Sequence, residues 1–288
     1  MVFVSPRQRS KSLIFDGDQF GADNALRISA NPHDLVGHWE AAHLVDLLAH
    51  GAVLRRKHQS ALARIARFTR LPGSLLDFGC GFGFFLDTAR ATGWDVAGID
   101  PLPGHGTYAR GALHLPVISD TLRHDTYAPA SFDVITAFQV FEHLPDPRAE
   151  LLALRRILKP GGVIAIEVPN IATPLVRLMG ARHRHFVADH LWFFSPDTLR
   201  RFLSANGFTV LNTAFPTRWL SARYLAARWL PRFLPDPTAR TFQAAAERLP
   251  GGDAVLPVNL RDIVMVVARR AAADNPQDNS IDDVDAGS

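Results

Sequence analysis

Three glycines at alternating positions follow one of the apolar runs of this 288-residue chain. Gly79, Gly81 and Gly83 come directly after the run that ends at Phe78, in the stretch LLDFGCGFGFFLD. Glycines at a strand-to-helix turn let backbone N–H groups approach a ligand, and the helix N-terminus attracts a negative group. The next run ends at Asp100, 17 residues after Gly83, where a carboxylate can bind both hydroxyls of a ribose. The spacing therefore predicts a nucleotide-binding turn.

The spacing of the glycines also separates two classes of nucleotide-binding protein. A dinucleotide-binding turn carries Gly-x-Gly-x-x-Gly, which would place the third glycine at position 84. This chain has Phe84 at that position, and its pattern is Gly-x-Gly-x-Gly. The sequence therefore disfavours a nicotinamide-dependent dehydrogenase.

Short apolar runs alternate with helical patterns between residues 74 and 168. Alternation of this kind predicts a parallel sheet covered by helices. The run 112–119 contains Pro116, which either weakens the strand or marks its start. Two more strands are predicted at 208–215 and 259–270, so the chain is predicted to have an α/β fold.

The regions that flank this core divide the chain into three predicted parts. Residues 1–70 form an N-terminal arm with lead-in helices, in which Asn31-Pro32 is a predicted helix start and Gly51 separates two helical patterns. Residues 71–270 form the main domain, with an insertion at about 216–258. Residues 271–288 are small, polar and acidic, and we expect them to be disordered.

These features together resemble the class I S-adenosylmethionine-dependent methyltransferases. The likeness continues through FDVITAFQVFEHLPDP, LKPGGVIAIEVPN and HLWFFSPDTLRRFLSANGF, so that it covers roughly residues 70–270 in order. It is nearest to small-molecule enzymes with Glu-His-Leu after the fourth strand, among them the ubiquinone-pathway O-methyltransferases. The resemblance implies a Rossmann-like fold with a doubly wound, mostly parallel seven-stranded sheet and an antiparallel C-terminal strand.

The resemblance also implies where S-adenosylmethionine, converted to S-adenosylhomocysteine, would bind. The backbone of the glycine turn would hold the methionine part, Asp77 would lie near the amino group, and Asp100 would hold the ribose. Asp120 would contact the adenine amine, and Gln139 would lie over the cofactor. The predicted cofactor residues are Asp77, Gly79, Cys80, Gly81, Gly83, Asp100, Pro101, Asp120, Thr121 and Gln139.

Three histidines, His143, His185 and His190, are the predicted acceptor-side residues. His143 can accept a proton from an acceptor hydroxyl, or it can cap a helix or orient its loop. The resemblance implies that the segment holding His185 and His190 faces the acceptor. The alternative is a purely structural role for these two histidines. Histidines at this spacing also suit zinc, but no acidic or cysteine partner other than Asp189 accompanies them, so the sequence predicts no metal.

The predicted function is methyl transfer to a small metabolite or biosynthetic intermediate, more at oxygen than at nitrogen or carbon. The alternative is a non-catalytic S-adenosylmethionine-binding or scaffold protein of the same fold. Methylation of nucleic acid is disfavoured, because Phe-Gln-Val-Phe stands at 138–141 where adenine enzymes carry Asp/Asn-Pro-Pro-aromatic, and cytosine enzymes need a cysteine there. The single cysteine, Cys80, lies in the glycine turn and is predicted to be a packing residue, not a nucleophile.

Aromatic residues and arginines recur through residues 216–240 at a spacing closer to a helical stripe than to strand alternation. Three interpretations compete for this part of the insertion: a helical cap packed on its own domain, a lid over the acceptor pocket, and a transient membrane-surface contact.

Composition limits the partners and the compartment. The formal net charge is +3, and one cysteine excludes an internal disulfide. We expect no nucleic acid partner, a small-molecule acceptor and a cytoplasmic location, because no apolar stretch has the length of a signal peptide core or a membrane span. The sequence makes no prediction of the oligomeric state.

Overall fold

The fold is described from a computed structural model, which covers residues 3–4, 43–45, 47–48, 51–221, 226, 236–247 and 255–271. Its main sheet has seven strands: five form a parallel block, the sixth is antiparallel to the last strand of that block, and the seventh pairs antiparallel with the sixth at the edge of the sheet. The predicted α/β fold with a mostly parallel seven-stranded sheet is confirmed. The predicted helix start at Asn31-Pro32 and the predicted disorder after residue 271 lie outside the described residues, and the division into three parts stays a prediction.

The strands and helices of the described residues are numbered separately, each in chain order. The strands are β1 (Phe3–Val4), β2 (Ser74–Phe78), β3 (Asp95–Ile99), β4 (Val117–Ile118), β5 (Phe132–Phe138), β6 (Leu158–Pro169), β7 (Trp192–Phe193), β8 (Phe208–Ala214), β9 (Arg218–Ser221), β10 (Val255–Val258) and β11 (Ile263–Arg270). The helices are α1 (Gly51–Ile65), α2 (Phe84–Ala91), α3 (Pro103–Gly111), α4 (Pro147–Ile157), α5 (Pro174–Met179), α6 (Pro196–Ala205) and α7 (Asp236–Glu247).

The main sheet has the strand order β4-β3-β2-β5-β6-β11-β8. The chain runs outward from β2 through β3 to β4 and then returns to place β5 on the other side of β2. Ligands of open α/β sheets bind outside the carboxyl ends of the strands at such a reversal. The glycine turn follows β2 and Gln139 follows β5, so both lie at this point of the sheet.

Two hydrophobic clusters cover the two faces of the sheet. The alternation along β6 shows this directly, because Val163 and Ala165 belong to one cluster and Ile164 and Ile166 to the other. Helices α1, α2 and α3 pack on the first face, and helices α4 and α6 pack on the second. The core therefore positions the carboxyl edge of the sheet between two layers of helices.

Three predicted elements differ in the structure. Strand β4 is only two residues long and begins directly after Pro116, which marks its start. Strand β6 begins at Leu158, earlier than the predicted run, and continues through Gly161 with a register shift against β5. The helical stripe predicted from residue 216 is wrong for 218–221, which form β9 and pair with β10.

The rest of the insertion is described only in part. Helix α7 begins at Asp236 with Pro237 in its first turn, where proline is compatible with a helix. Residues 222–225 and 227–235 lie outside the described residues, and the three interpretations of this region stay predictions. Among the residues that the structure describes, no helix combines the length and the apolar character needed to span a membrane.

Helix α1 packs one face on the sheet through His58, Ala61, Leu62 and Ile65, which recur at helical spacing. His58 is unusual among them because it is titratable. Its ring meets Phe85 edge to face at 5.5 Å between centroids. Burial, with the positive charge of Lys57, lowers the pKa of His58 to about 4.

We expect His58→Gln to reduce the loss of stability on acidification. An unfolded histidine takes up its proton near pH 6.5, whereas the folded His58 resists it down to about pH 4. Stability is therefore lost as the pH falls through this window, by about 2 to 3 kcal/mol at pH 4.5. Urea unfolding at pH 7.5 and 4.5 would measure the change in unfolding free energy, with the substitution His124→Gln at an exposed position as the control. Parallel pH dependence in wild type and His58→Gln would contradict the expectation.

Candidate active site

The turn after β2 contains three glycines in a backbone conformation that residues with a side chain rarely adopt. Gly79, Gly81 and Gly83 have φ of 75°, 53° and 82°, a region that favours glycine. The N–H groups of Gly79 and Cys80 donate to the carbonyl of Ile99, at 2.8 and 3.2 Å. These bonds hold the turn against the end of β3.

The surroundings distinguish the three glycines. A Cβ at Gly79 would lie 2.4 Å from a methyl of Val140, and one at Gly83 would lie 2.7 Å from Leu115. A Cβ at Gly81 would meet nothing within 4 Å. Gly79 and Gly83 therefore serve packing, whereas Gly81 borders open space at the carboxyl edge of the sheet.

Asp100 lies directly against this turn. Its Oδ2 accepts a hydrogen bond from the Gly81 N–H at 2.9 Å. Its Oδ1 accepts from the Leu102 N–H and from Nδ1 of His105, each at 3.0 Å. The turn and the strand-tip acid are thus in contact, and the structure adds His105, which sequence reasoning missed although it follows Asp100 by five residues at the start of α3.

Asp77 is buried beneath the turn. Its Oδ1 accepts a hydrogen bond from the Thr136 hydroxyl at 2.6 Å. Burial raises the pKa of Asp77 to about 7, and the hydrogen bond from Thr136 opposes this only in part. A cationic ligand group near Asp77 would favour the ionised carboxylate.

Asp120 and Thr121 follow β4, where Asp120 is half-buried and Thr121 is exposed. Asp120 accepts a hydrogen bond from the Thr121 N–H at 2.8 Å and pairs with Arg123 at 2.9 Å. The Thr121 hydrogen bond is the main cause that holds the pKa of Asp120 below its usual value. Pro101, which follows β3, is also exposed.

Gln139 connects the turn region with two residues that sequence reasoning missed. It has φ of 59°, which is uncommon for a residue other than glycine. Its N–H donates to the Glu167 carbonyl at 2.8 Å, and its Nε2 lies 3.5 Å from Glu167 Oε1. Lys57 Nζ donates to the same oxygen at 2.8 Å. An acidic residue within the apolar run GVIAIEV was the available signal for Glu167.

The structure brings His143 and His190 together. Their ring centroids are 4.8 Å apart, with the rings nearly perpendicular. Nδ1 of His143 lies 2.9 Å from the Asp189 carbonyl, and Nδ1 of His190 lies 2.8 Å from the His185 carbonyl. Because a carbonyl oxygen only accepts, each Nδ1 carries a proton. Burial, with the charge of His143, lowers the pKa of His190 to about 4.

Glu142 lies beside these two histidines and was not predicted to belong to the site. Its side chain is fully buried, and neither carboxylate oxygen has a hydrogen-bond partner among the described residues. Burial, with the charge of Glu167 as a smaller cause, raises the pKa of Glu142 to about 8. Ligand atoms of Glu142, His143 and His190 lie within 4.8 Å of one another, so the cluster can share a proton or hold a cation.

His185 belongs to a different cluster from His143 and His190. Its Nε2 lies 2.7 Å from the Asp262 carbonyl, and its ring packs on His183 at 4.7 Å between centroids. The Asp262 carboxylate is occupied by Arg184, with N–O distances of 2.8 and 3.1 Å. This cluster links the segment after α5 to the start of β11, and these contacts favour the structural alternative for His185.

Cys80 is buried in the turn, and its Sγ lies 3.7 Å from the Gly81 carbonyl. Burial, with the charges of Asp77 and Asp100, raises the pKa of the Cys80 thiol far above its usual value. A thiol in this environment stays protonated, so its contribution is packing.

Comparison with known protein families defines the class. The family described as "Methyltransferase domain" matches residues 51–213, which is more than half of the chain. The chain belongs to this family. With the turn, the strand-tip acid and the sheet order, this makes the protein an S-adenosylmethionine-dependent methyltransferase, as the resemblance implied.

Particular relatives support this membership. The chain is 29% identical over 196 residues to the ubiquinone biosynthesis O-methyltransferase of Paraburkholderia phymatum, covering 62% of this chain and 84% of the relative. It is 31% identical over 153 residues to the enzyme of the same name from Psychrobacter arcticus, covering 47% and 58%.

Two solved structures share the fold. One is a SAM-dependent methyltransferase of Thermotoga maritima described as a possible histamine N-methyltransferase, with TM-score 0.51, 18% identity, and coverage of 79% of this chain and 95% of that one. The other is a SAM-dependent methyltransferase of Archaeoglobus fulgidus, with TM-score 0.50, 18% identity and coverage of 77% and 98%.

Proposed function

We propose that this protein transfers the methyl group of S-adenosylmethionine to a hydroxyl of a small-molecule acceptor. The observation that carries the proposal is the contact between Gly81 and Asp100 at the edge of the open space beside the turn. The names of the relatives, which are O-methyltransferases, support oxygen as the methylated atom.

The residues of the site fit the cofactor. Asp100 would accept hydrogen bonds from the ribose hydroxyls, and the space beside Gly81 would admit the methionine part. Asp77 is buried with one hydrogen bond, and an ammonium group would neutralise it. Asp120, Thr121 and Pro101 would border the adenine. When bound, S-adenosylmethionine would supply a methyl group on a sulfonium, which is an excellent leaving group.

His143 is the better candidate for the residue that removes the acceptor proton. It is less buried than His190, and the contact of its Nδ1 with the Asp189 carbonyl fixes the orientation of its ring. His190, whose pKa is lowered to about 4, is a weak base and would help to orient His143. His185 has no part in this chemistry.

The proposed function is tested by two measurements on the full chain. Calorimetric titration with S-adenosylmethionine and S-adenosylhomocysteine tests cofactor binding. Transfer of a radiolabelled methyl group into fractionated bacterial extract, followed by identification of the labelled compound, tests the acceptor class. Absence of binding, or label confined to macromolecules, would contradict the proposal.

We expect His143→Gln to lower kcat about 100-fold or more, because a positioned general base contributes ~10² to 10⁴. Cofactor affinity is expected to stay within twofold of wild type, since His143 is not among the residues that would hold the cofactor. Steady-state kinetics with the identified acceptor would measure the change, and His124→Gln on an exposed loop is the control. An unchanged kcat would remove His143 from the reaction.

A further inference from the structure

His105 connects the two parts of the candidate cofactor site. It lies in the first turn of helix α3, and its side chain is buried. Its Nδ1 lies 3.0 Å from Oδ1 of Asp100. On its other side the imidazole packs on Phe82 of the glycine turn, at 4.3 Å between ring centroids. One side chain of α3 therefore contacts both the strand-tip acid and the turn.

The position of His105 is fixed by the close packing of α3 against the segment after β4. A Cβ at Gly106 would lie 1.9 Å from Oγ of Ser119, so a larger residue would push the helix or the Ser119 side chain away. Arg110 of the same helix donates to the Ser119 hydroxyl at 2.9 Å. The imidazole is thus held from the helix that carries it and from the ring on which it packs.

The hydrogen bonds to the Asp100 carboxylate are divided unequally between its two oxygens. Oδ1 accepts from the Leu102 N–H and from Nδ1 of His105, each at 3.0 Å. Oδ2 accepts from the Gly81 N–H at 2.9 Å, its one donor among the described residues. A carboxylate offers about four acceptor positions, two on each oxygen. The open position is therefore on Oδ2, on the side of Gly81, where a Cβ would meet nothing within 4 Å.

The three donors differ in how firmly the structure holds them. Leu102 is two residues from Asp100 in the same loop, and Gly81 belongs to the turn that borders open space. His105 is the donor that comes from a packed helix. A binding group is placed precisely when the side chains that support it are locked by packing. His105 is therefore the donor best able to fix the carboxylate.

We infer that His105 is a positioning residue of the cofactor site, which holds the Asp100 carboxylate so that Oδ2 is presented to a ribose hydroxyl of S-adenosylmethionine. This inference rests on the proposed function. In this role His105 acts through Asp100. A carboxylate that is held before the ligand arrives lowers the ordering cost of binding. The effect of His105 therefore falls on cofactor affinity and not on the rate of methyl transfer at saturation.

Three substitutions separate positioning from packing. His105→Asn keeps an N–H donor at the position of Nδ1, and His105→Leu has a similar branched shape without a donor. Thr107→Val is the matched control, since it removes another side-chain hydrogen bond of α3, the one to the Pro103 carbonyl at 2.8 Å. Calorimetric titration of the full chain with S-adenosylhomocysteine is expected to show about tenfold weaker binding by His105→Leu, because a hydrogen bond to a charged group is lost. The other two variants are expected to bind within about twofold of wild type.

A second ligand tests whether the effect of His105 depends on the ribose hydroxyls. The 2′,3′-dideoxy analogue of S-adenosylhomocysteine lacks both of them. Displacement titrations are expected to show that His105→Leu binds this analogue within about twofold of wild type, whereas a general loss of structure would weaken both ligands by the same factor. If the leucine variant does not fold, His105→Gln takes its place, since its N–H donor lies one bond further from the helix, and the same losses are expected.

Three results would overturn the inference: wild-type affinity for S-adenosylhomocysteine in the variant that lacks the donor, an equal loss for the dideoxy analogue, or no recovery in His105→Asn. Failure of the wild-type chain to bind S-adenosylhomocysteine would instead contradict the proposed function, and the inference with it.

Discussion

Asp100→Asn is expected to weaken S-adenosylmethionine binding about 100-fold, or about 3 kcal/mol. Hydrogen bonds to a charged group contribute ~1.5–3 kcal/mol each, and a ribose offers two hydroxyls. The substitution also replaces one of the two carboxylate oxygens with an amide NH₂, so that the N–H of either Gly81 or Leu102 loses its acceptor. Both losses act on the same contact between the turn and β3. Calorimetric titration of the folded variant measures the effect.

Asp95→Asn is the matched control for this variant. Asp95 lies at the start of the same strand, β3, and is exposed at the opposite edge of the sheet. The substitution Asp95→Asn removes the same charge at a position outside the candidate site, so the affinity of this variant for S-adenosylmethionine should stay near that of wild type. If Asp100→Asn bound the cofactor as tightly as Asp95→Asn does, the ribose would lie elsewhere.

Gly79→Ala and Gly81→Ala are expected to fail in different ways. Both glycines have positive φ, so the backbone strain of ~1–2 kcal/mol is common to both variants. At Gly79 the new methyl would lie 2.4 Å from Val140, and overpacking of this kind costs a further ~1–3 kcal/mol. At Gly81 the methyl meets open space, so stability falls by the strain alone while cofactor affinity drops about tenfold or more.

Urea unfolding and calorimetry on both variants separate these outcomes. Gly79→Ala should have the lower unfolding free energy, and Gly81→Ala should have the larger loss of affinity relative to its stability. Equal losses of stability with unchanged affinity in Gly81→Ala would mean that the space beside Gly81 does not receive the ligand.

The helices and strands that could be predicted are those whose signals are local. The capping box of Ser195 and Thr198 starts α6, and Gly207 with φ of 80° ends the turn after it. The strand 218–221 could not be predicted, because its partner β10 is 37 residues away, and pairing with it overrides the helical spacing of arginines and aromatic residues.

The candidate site shows the same division. The turn at 79–83 and Asp100 could be located from the sequence, because each is a strand end with a characteristic residue. The roles of the histidines could not be separated. The structure alone pairs His143 with His190 and assigns His185 to Asp262, 77 residues away.

The sequence alone determined the α/β class and located the glycine turn and the acid at the end of β3, since periodicity and glycine spacing are properties of neighbouring residues. The tertiary structure decided which charged side chains form ion pairs. Lys57 and Glu167 are 110 residues apart, and only the packing of α1 on β6 brings them together. A binding site depends on such distant contacts, because its walls come from separate elements whose positions the whole sheet must set.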